Sequence, residues 1–195
     1  EVTYAVEESD VKRLIYLSSV SVYGSGDSER NLDSDLNPRT FYGISKMRGE
    51  NHVARLSPKI ETHIIRCGNV YGYNRSMRFD AVINKFLFEA NFHGKINIHG
   101  NGEQHRPFVF VDSVVDRLVE HLSESKPSST SNLVEHNFSI KNIAEVLLKL
   151  YPDLEMIFIN NNMKLRELMV KAENEAADLK VLENRMKAFG EAFTF

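Results

Sequence analysis

Leu14-Ile15-Tyr16-Leu17-Ser18-Ser19-Val20-Ser21-Val22-Tyr23-Gly24, followed after a polar stretch by Tyr42-Gly43-Ile44-Ser45-Lys46, decides the fold. The first four residues are β-branched, aromatic or aliphatic, and Ser and Gly stop the run, which is the pattern of a short buried strand. Asn37-Pro38 opens the second segment and good helix formers follow, predicting a helix to about Leu56, where Ser57-Pro58 ends it. Positions i and i+4 share a helix face, so Tyr42 and Lys46 point the same way, one turn apart. A free Tyr titrates near pH ~10 and is a poor base at neutrality, but a nearby Lys ammonium favours the phenolate. Such a Tyr can take a proton from an alcohol as hydride leaves the same carbon, and return it in reverse. A Ser hydroxyl at the strand end would hold the alcohol oxygen in line. On the Tyr-x-x-x-Lys pair alone, a surface helix carrying one Tyr and one Lys reads at least as well.

Composition narrows the class. A chain of 195 residues can bury a sizeable core, and its 42% hydrophobic and 26% charged residues are ordinary for a globular protein. A net charge of −3 gives no general attraction to nucleic acid or to anionic membranes. The single cysteine, Cys67, excludes an intrachain disulfide and fits a reducing compartment. No apolar stretch is long enough to cross a bilayer and no signal peptide is visible, so cytoplasm is the default expectation. The seven His are scattered, with no metal-ligand spacing, and read as structural.

Outward from the opening stretch, Glu1 to Ser9 reads as the end of a helix with Val2, Ala5 and Val6 as its apolar face. Gly24 to Arg39 is a polar loop, and Ile60 to Arg66 is a second buried strand that delivers Cys67-Gly68-Asn69 to the sheet's carboxyl edge. Met77 to Phe92 reads as a helix with Phe79, Val82, Ile83, Phe86, Leu87 and Ala90 inward. Ile96 and Ile98 alternate with polar residues in a short strand, and Gly100-Asn101-Gly102 turns the chain. Phe108 to Val111 is a strand, after which Asp112 is expected to cap a helix bearing Val114, Val115, Leu118, Val119 and Leu122. A Ser-rich loop over 123–131 precedes one strand over Asn132 to Phe138. Ser139 starts a helix through Tyr151, and Met156 to Ile159 is a final strand. The charged pattern from Met163 to Phe189 reads as helix with a solvated face.

Four motifs occur in order: the Ser18 to Gly24 segment, Tyr42 to Lys46 with Glu50, Arg66-Cys67-Gly68-Asn69-Val70-Tyr71-Gly72, and Gly100 through Asp112. Together they resemble the extended short-chain dehydrogenase/reductase family, in particular its NAD-dependent epimerase/dehydratase branch acting on nucleotide sugars. The resemblance implies an α/β fold: the C-terminal half of a Rossmann-like parallel sheet with helices on both faces, plus a small α/β substrate-binding lobe. It divides the chain into a partial NAD-binding domain (1–75), a substrate-lobe insertion (76–106), a return to the sheet (107–138) and a truncated substrate lobe (139–195). No G-x-G-x-x-G phosphate turn occurs, so the chain reads as a fragment whose dinucleotide site is incomplete.

The resemblance also implies roles. Ser19, Tyr42 and Lys46 would be the catalytic trio, with Lys46 also bonding the nicotinamide ribose of NAD (NADP being the alternative). Ser18, Cys67 and Gly68 would line the cofactor, although Cys67 reads equally as a buried filler. Ser21 is either a substrate contact or a sheet-edge Ser satisfied by backbone. Asn69 is a phosphate contact or a turn residue, since Asn tolerates unusual backbone angles. Arg106 is a diphosphate clamp or one half of an ion pair. Ile98 flanks a nucleobase or belongs to the core.

Dehydratases of the resembled family carry acidic residues directly after the catalytic Ser or Thr. Here Val20 and Ser21 stand there, which disfavours elimination. The expectation is a 4-epimerase of a nucleotide hexose, homodimeric at full length. A 4-reductase or dehydratase, and a non-catalytic binding remnant, are the alternatives.

Overall fold

The computed structural model describes residues 1–163, 165–173 and 178–193. After a short helix α1 (Val2–Glu7), strand β1 (Arg13–Ser19) forms where the apolar run predicted it. Helix α2 (Phe41–Ala54) then crosses to β2 (Glu61–Cys67), which pairs with β1 in parallel, Ser18 opposite Arg66 and Ser19 opposite Cys67. Two parallel strands cannot be joined by a tight turn, so the crossover is a structural necessity, and it carries Tyr42 and Lys46 back over the strand ends.

Side chains alternate along β1, so its two faces meet different partners. Ser18 points toward Glu50 of α2. Ile15, on the other face, packs with Ile65, Cys67, Val109, Val114, Leu118 and Leu133. Val114 and Leu118 belong to α4 (Val111–Ser123), which follows β3 (Asn69–Tyr71), α3 (Val82–His93), β4 (Lys95–His99) and β5 (His105–Phe110). The principal sheet therefore has helices on both faces. It is completed by β6 (Ser129–Leu133), parallel to β2, giving the order β1-β2-β6.

A second sheet runs β3-β5-β7, where β7 (His136–Ser139) is antiparallel to β5. Helix α5 (Ile140–Leu150) leads to β8 (Glu155–Ile159), which pairs in parallel with β4. The largest core lies here, with Phe86, Leu87, Ile96, Ile98, Ile143 and Leu147 packed against Leu182 and Met186 of α6 (Leu179–Glu191).

Several local expectations are corrected. Helix α2 is capped by Thr40, whose hydroxyl accepts from Gly43 N at 3.0 Å, so Asn37-Pro38 precedes the helix instead of opening it. Helix α3 begins at Val82, five residues later than expected, because 74–77 and 78–81 form successive turns, and Phe79 is exposed. Asp112 is in the first turn of α4 but Phe110 holds the cap position, and its N–H donates to Glu135 of a neighbouring loop. Of the apolar residues expected inward on α4, Val114 and Leu118 pack into the core, while Val115, Val119 and Leu122 are exposed. Val2 and Ala5 of α1 are exposed as well.

The single strand over 132–138 is two, breaking after Leu133 as the chain passes from one sheet to the next. Residues 165–173 are not helical: Val170 bridges Arg30, and Leu168 N donates to His105 O. This segment finds its backbone partners across the molecule, which overrides its local helical pattern. Residue 164 and residues 174–177 of the same expected helix lie outside the described residues.

Candidate active site

The end of β1 is shaped by its own serine. Ser19 Oγ accepts from Ser21 N (3.2 Å) and so caps a 3-10 turn over Val20–Tyr23. That turn lies against the start of α2. A Cβ at Gly43 would fall 2.8 Å from Ser21 O, so the helix reaches the strand end only because residue 43 has no side chain. Tyr42 and Ser19 line one cleft.

Behind these residues is a buried polar network. Ser18 Oγ donates to Glu50 (2.5 Å), Arg66 bonds Glu50 through Nε and Nη2 (shortest 2.7 Å), and Arg66 Nη1 donates to the Tyr23 hydroxyl (2.8 Å). Tyr23 in turn donates to Asn132 (2.8 Å). Every polar group named here is paired, which is what makes a buried charge tolerable. The network ties the helix bearing Tyr42 and Lys46 to both strands that frame the cleft.

Lys46 Nζ donates to Leu17 O at 2.8 Å and lies 5.2 Å from the centre of the Tyr16 ring and 5.7 Å from that of Tyr42. Cation–π contact with two rings holds the ammonium in place. Tyr16, which the sequence did not single out, fits there because Gly49 leaves room: a Cβ would meet its hydroxyl at 2.1 Å. An ammonium has three donors, and the Leu17 carbonyl uses one.

The cleft measures about 530 Å³ and is lined by Ser18, Ser19, Tyr42, Lys46, Cys67, Gly68, Asn69 and Arg106, together with Leu17, Arg78, Asp80 and Val114. Two residues singled out from the sequence are elsewhere. Ile98 is 1% exposed within the main core, where no ligand can reach it. Ser21 does not line the cleft either, and its hydroxyl is buried without a hydrogen-bond partner. The reading of Ser21 as a backbone-satisfied serine therefore does not describe it.

The remaining cleft residues differ in readiness. Burial pushes the Cys67 thiol up to about 11 against the opposing charges of Lys46 and Arg117, so it stays protonated and is no nucleophile. Asn69 donates one amide N–H to Pro107 O (2.9 Å) and keeps a second for a ligand. Arg106 donates to His105 O (2.7 Å), and burial lowers its pKa while Glu167 opposes the shift. Among the described residues no carboxylate forms an ion pair with it. A half-buried guanidinium without an ion-pair partner is suited to an incoming anion. Arg78 and Asp80 were missed because their motif carries no signal; the loop between β3 and α3 alone brings them to the cleft. Among the described residues, no three potential metal-ligating side chains cluster, and no helix is long and apolar enough to cross a membrane.

Comparison with known proteins agrees with this architecture. Residues 1–133 match the sequence model of the NAD dependent epimerase/dehydratase family, whose members are enzymes. The human dTDP-D-glucose 4,6-dehydratase is 31% identical over 150 residues, which are 75% of this chain and 42% of that protein. A Bacillus subtilis protein described as an uncharacterized UDP-glucose epimerase is 30% identical over 124 residues, covering 62% of this chain and 38% of its own length. The chain thus spans less than half the length of these curated relatives. Among solved structures, the Bacillus cereus UDP-glucuronic acid 4-epimerase, in complex with UDP-glucuronic acid and NAD, superposes with a TM-score of 0.82. The identity is 20%, over 99% of this chain and 66% of that one. MoeE5, in complex with UDP-glucose and NAD, gives 0.81 at 21% identity over 97% of this chain and 67% of that one. With a family match over two thirds of its length and the fold of those enzymes, the chain belongs to the NAD dependent epimerase/dehydratase family.

Proposed function

We propose that this chain carries the sugar-oxidising site of an NAD-dependent nucleotide-sugar 4-epimerase. The observation that supports it most directly is the convergence of Ser19, Tyr42 and Lys46 on one cleft that Arg106 and Asn69 also line. Tyr42 takes the proton from the C4 hydroxyl, Ser19 holds the reacting oxygen, and Arg106 and Asn69 bind the diphosphate.

The nicotinamide-ribose end of the cofactor fits the residues present. Two Lys46 donors are left over from the Leu17 carbonyl, and Leu17, Cys67 and Val114 offer an apolar wall. When bound, NAD supplies a reversible hydride acceptor at the sugar carbon. Tyr42 gains the C4 hydroxyl proton as hydride leaves the sugar and gives it back as hydride returns, so it ends as it began.

The dehydratase reading draws on the identity to the human enzyme. Elimination needs groups that move protons at the neighbouring carbons, and the two residues after Ser19 do not serve. Val20 is 3% exposed and has no exchangeable proton, and the Ser21 hydroxyl is buried away from the cleft. This favours oxidation and re-reduction at one carbon over elimination.

The test is product analysis of the full-length protein with a UDP-hexose and NAD. The expected product is the C4 epimer with no net change in NADH, and Tyr42→Phe should lower the rate by roughly 10²–10⁴-fold. Net consumption of NADH would replace the epimerase with a reductase, and a dehydrated keto-sugar would restore the dehydratase.

A further inference from the structure

Arg78 and Asp80 stand on the loop between β3 and α3 at the mouth of the cleft, and the chemistry above uses neither. Their side chains form a two-pronged pair, Arg78 Nε to Asp80 Oδ1 at 3.0 Å and Nη2 to Oδ2 at 2.6 Å. They are 71% and 69% exposed, so the pair contributes little to stability. Yet the loop is anchored beneath it. Buried Asn84 donates to Arg78 O (3.1 Å) and accepts from Gly72 N (3.3 Å). Each partner keeps the other ionised: Arg78 holds the Asp80 carboxyl below the usual carboxylate range, and Asp80, with a smaller contribution from the Tyr42 phenol, raises Arg78. The pair lines the same cleft as Tyr42.

A charge census of the cleft lining then bears on the sugar. The cations are Lys46, Arg78 and Arg106, and the one carboxylate is Asp80. Arg78 is already engaged by Asp80, which leaves Arg106 for the diphosphate and Lys46 beside Tyr42. A nucleotide-linked hexose brings its diphosphate charge and no more. A uronic acid adds a carboxylate on the ring itself, near Tyr42. To meet it, Arg78 has its Nη1 left over from the pair with Asp80, and a carboxylate drawn there stands beside the Asp80 carboxylate. Discrimination by such repulsion is a general route to specificity. The fold does not decide the matter, since similar structures hold UDP-glucose in one case and UDP-glucuronic acid in another.

We propose that this cleft takes nucleotide-linked neutral hexoses and disfavours uronic acids, with Asp80 as the residue that discriminates. The inference rests on the nucleotide-sugar reading of the site. It is tested by calorimetric titration of the protein, with NAD present, using UDP-glucose and UDP-glucuronic acid. The two share nucleobase and diphosphate, so the ratio of their dissociation constants isolates the ring carboxylate. UDP-glucose should bind about fivefold more tightly or better, the scale of one screened charge contact. Asp80→Asn should bring the ratio toward one. Should that variant fold poorly, added salt gives the same readout on the unaltered protein, narrowing the ratio as the Debye length shrinks. Equal or tighter binding of UDP-glucuronic acid overturns the inference and leaves the nucleotide-sugar reading standing. A preference for UDP-glucose that neither Asp80→Asn nor salt alters removes Asp80 from the role. Binding of neither compound overturns the reading and the inference together.

Discussion

His121 of α4 stacks on His63 of β2, ring centres 4.1 Å apart, at the amino-terminal edge of the principal sheet and far from the cleft. His63 is satisfied on both nitrogens, by Ser129 Oγ (2.9 Å) and Glu61 (2.8 Å), whereas His121 Nδ1 is buried without a partner. Burial first, then the proximity of His63, Arg117 and Lys126, lowers the His121 pKa against the opposing pull of Glu120. The unfolded chain, with His near its ordinary value of about 6.5, therefore binds a proton that the folded chain resists. Stability should fall as pH drops through that value, until the folded-state pKa is reached. His121→Phe keeps the stacking face and removes the titration. Thermal melts at about pH 8 and about pH 5.5 should show a smaller loss for the variant than for the parent. An equal loss in both would mean that His121 is not the group responsible. The sequence presented these histidines as scattered and structural, and at this scale that was all it could show. The stacking joins positions 58 residues apart through the packing of a helix on a strand, not through any local pattern.

Helix α2 illustrates how an element is placed. Its sequence announced both its existence and the shared face of Tyr42 and Lys46, because i,i+4 geometry is local. Its height above the strands is set by Gly43 and Gly49, and its rotation by Glu50, which joins Ser18 and Arg66. Glu50→Ala should leave Arg66 buried and unpaired, at a cost of about 3–5 kcal/mol in urea unfolding. A change below about 1 kcal/mol would show that water replaces the carboxylate and that the network does not clamp the helix. The start of α3 was read too early for a related reason. Apolar spacing over 77–81 suited a helix, but Asn74 and Asn84 commit that backbone to turns, and the same turns carry Arg78 and Asp80 to the cleft.

Across the whole molecule, β1 is an edge strand of the principal sheet among the described residues, and Val115, Val119 and Leu122 form an exposed apolar stripe on neighbouring α4. Free strand edges and apolar stripes favour association. The isolated chain should self-associate at micromolar concentration, and Val115→Lys with Leu122→Glu should shift it toward monomer in sedimentation velocity. A monodisperse monomer in the parent chain would count against this account of the surface. The sequence alone determined the strand that ends in Ser19, the helix that pairs Tyr42 with Lys46, and the family to which their order belongs, because short-range periodicity and motif spacing are written along one chain. The tertiary structure alone decided that Ile98 belongs to the core, that the Ser21 hydroxyl is buried, that residues 165–173 are not helical, and that Arg78 and Asp80 line the cleft that holds Tyr42. Each of those depends on which distant segment supplies a neighbour, and free energy from burial and backbone pairing across the fold outweighs the preference of any local stretch.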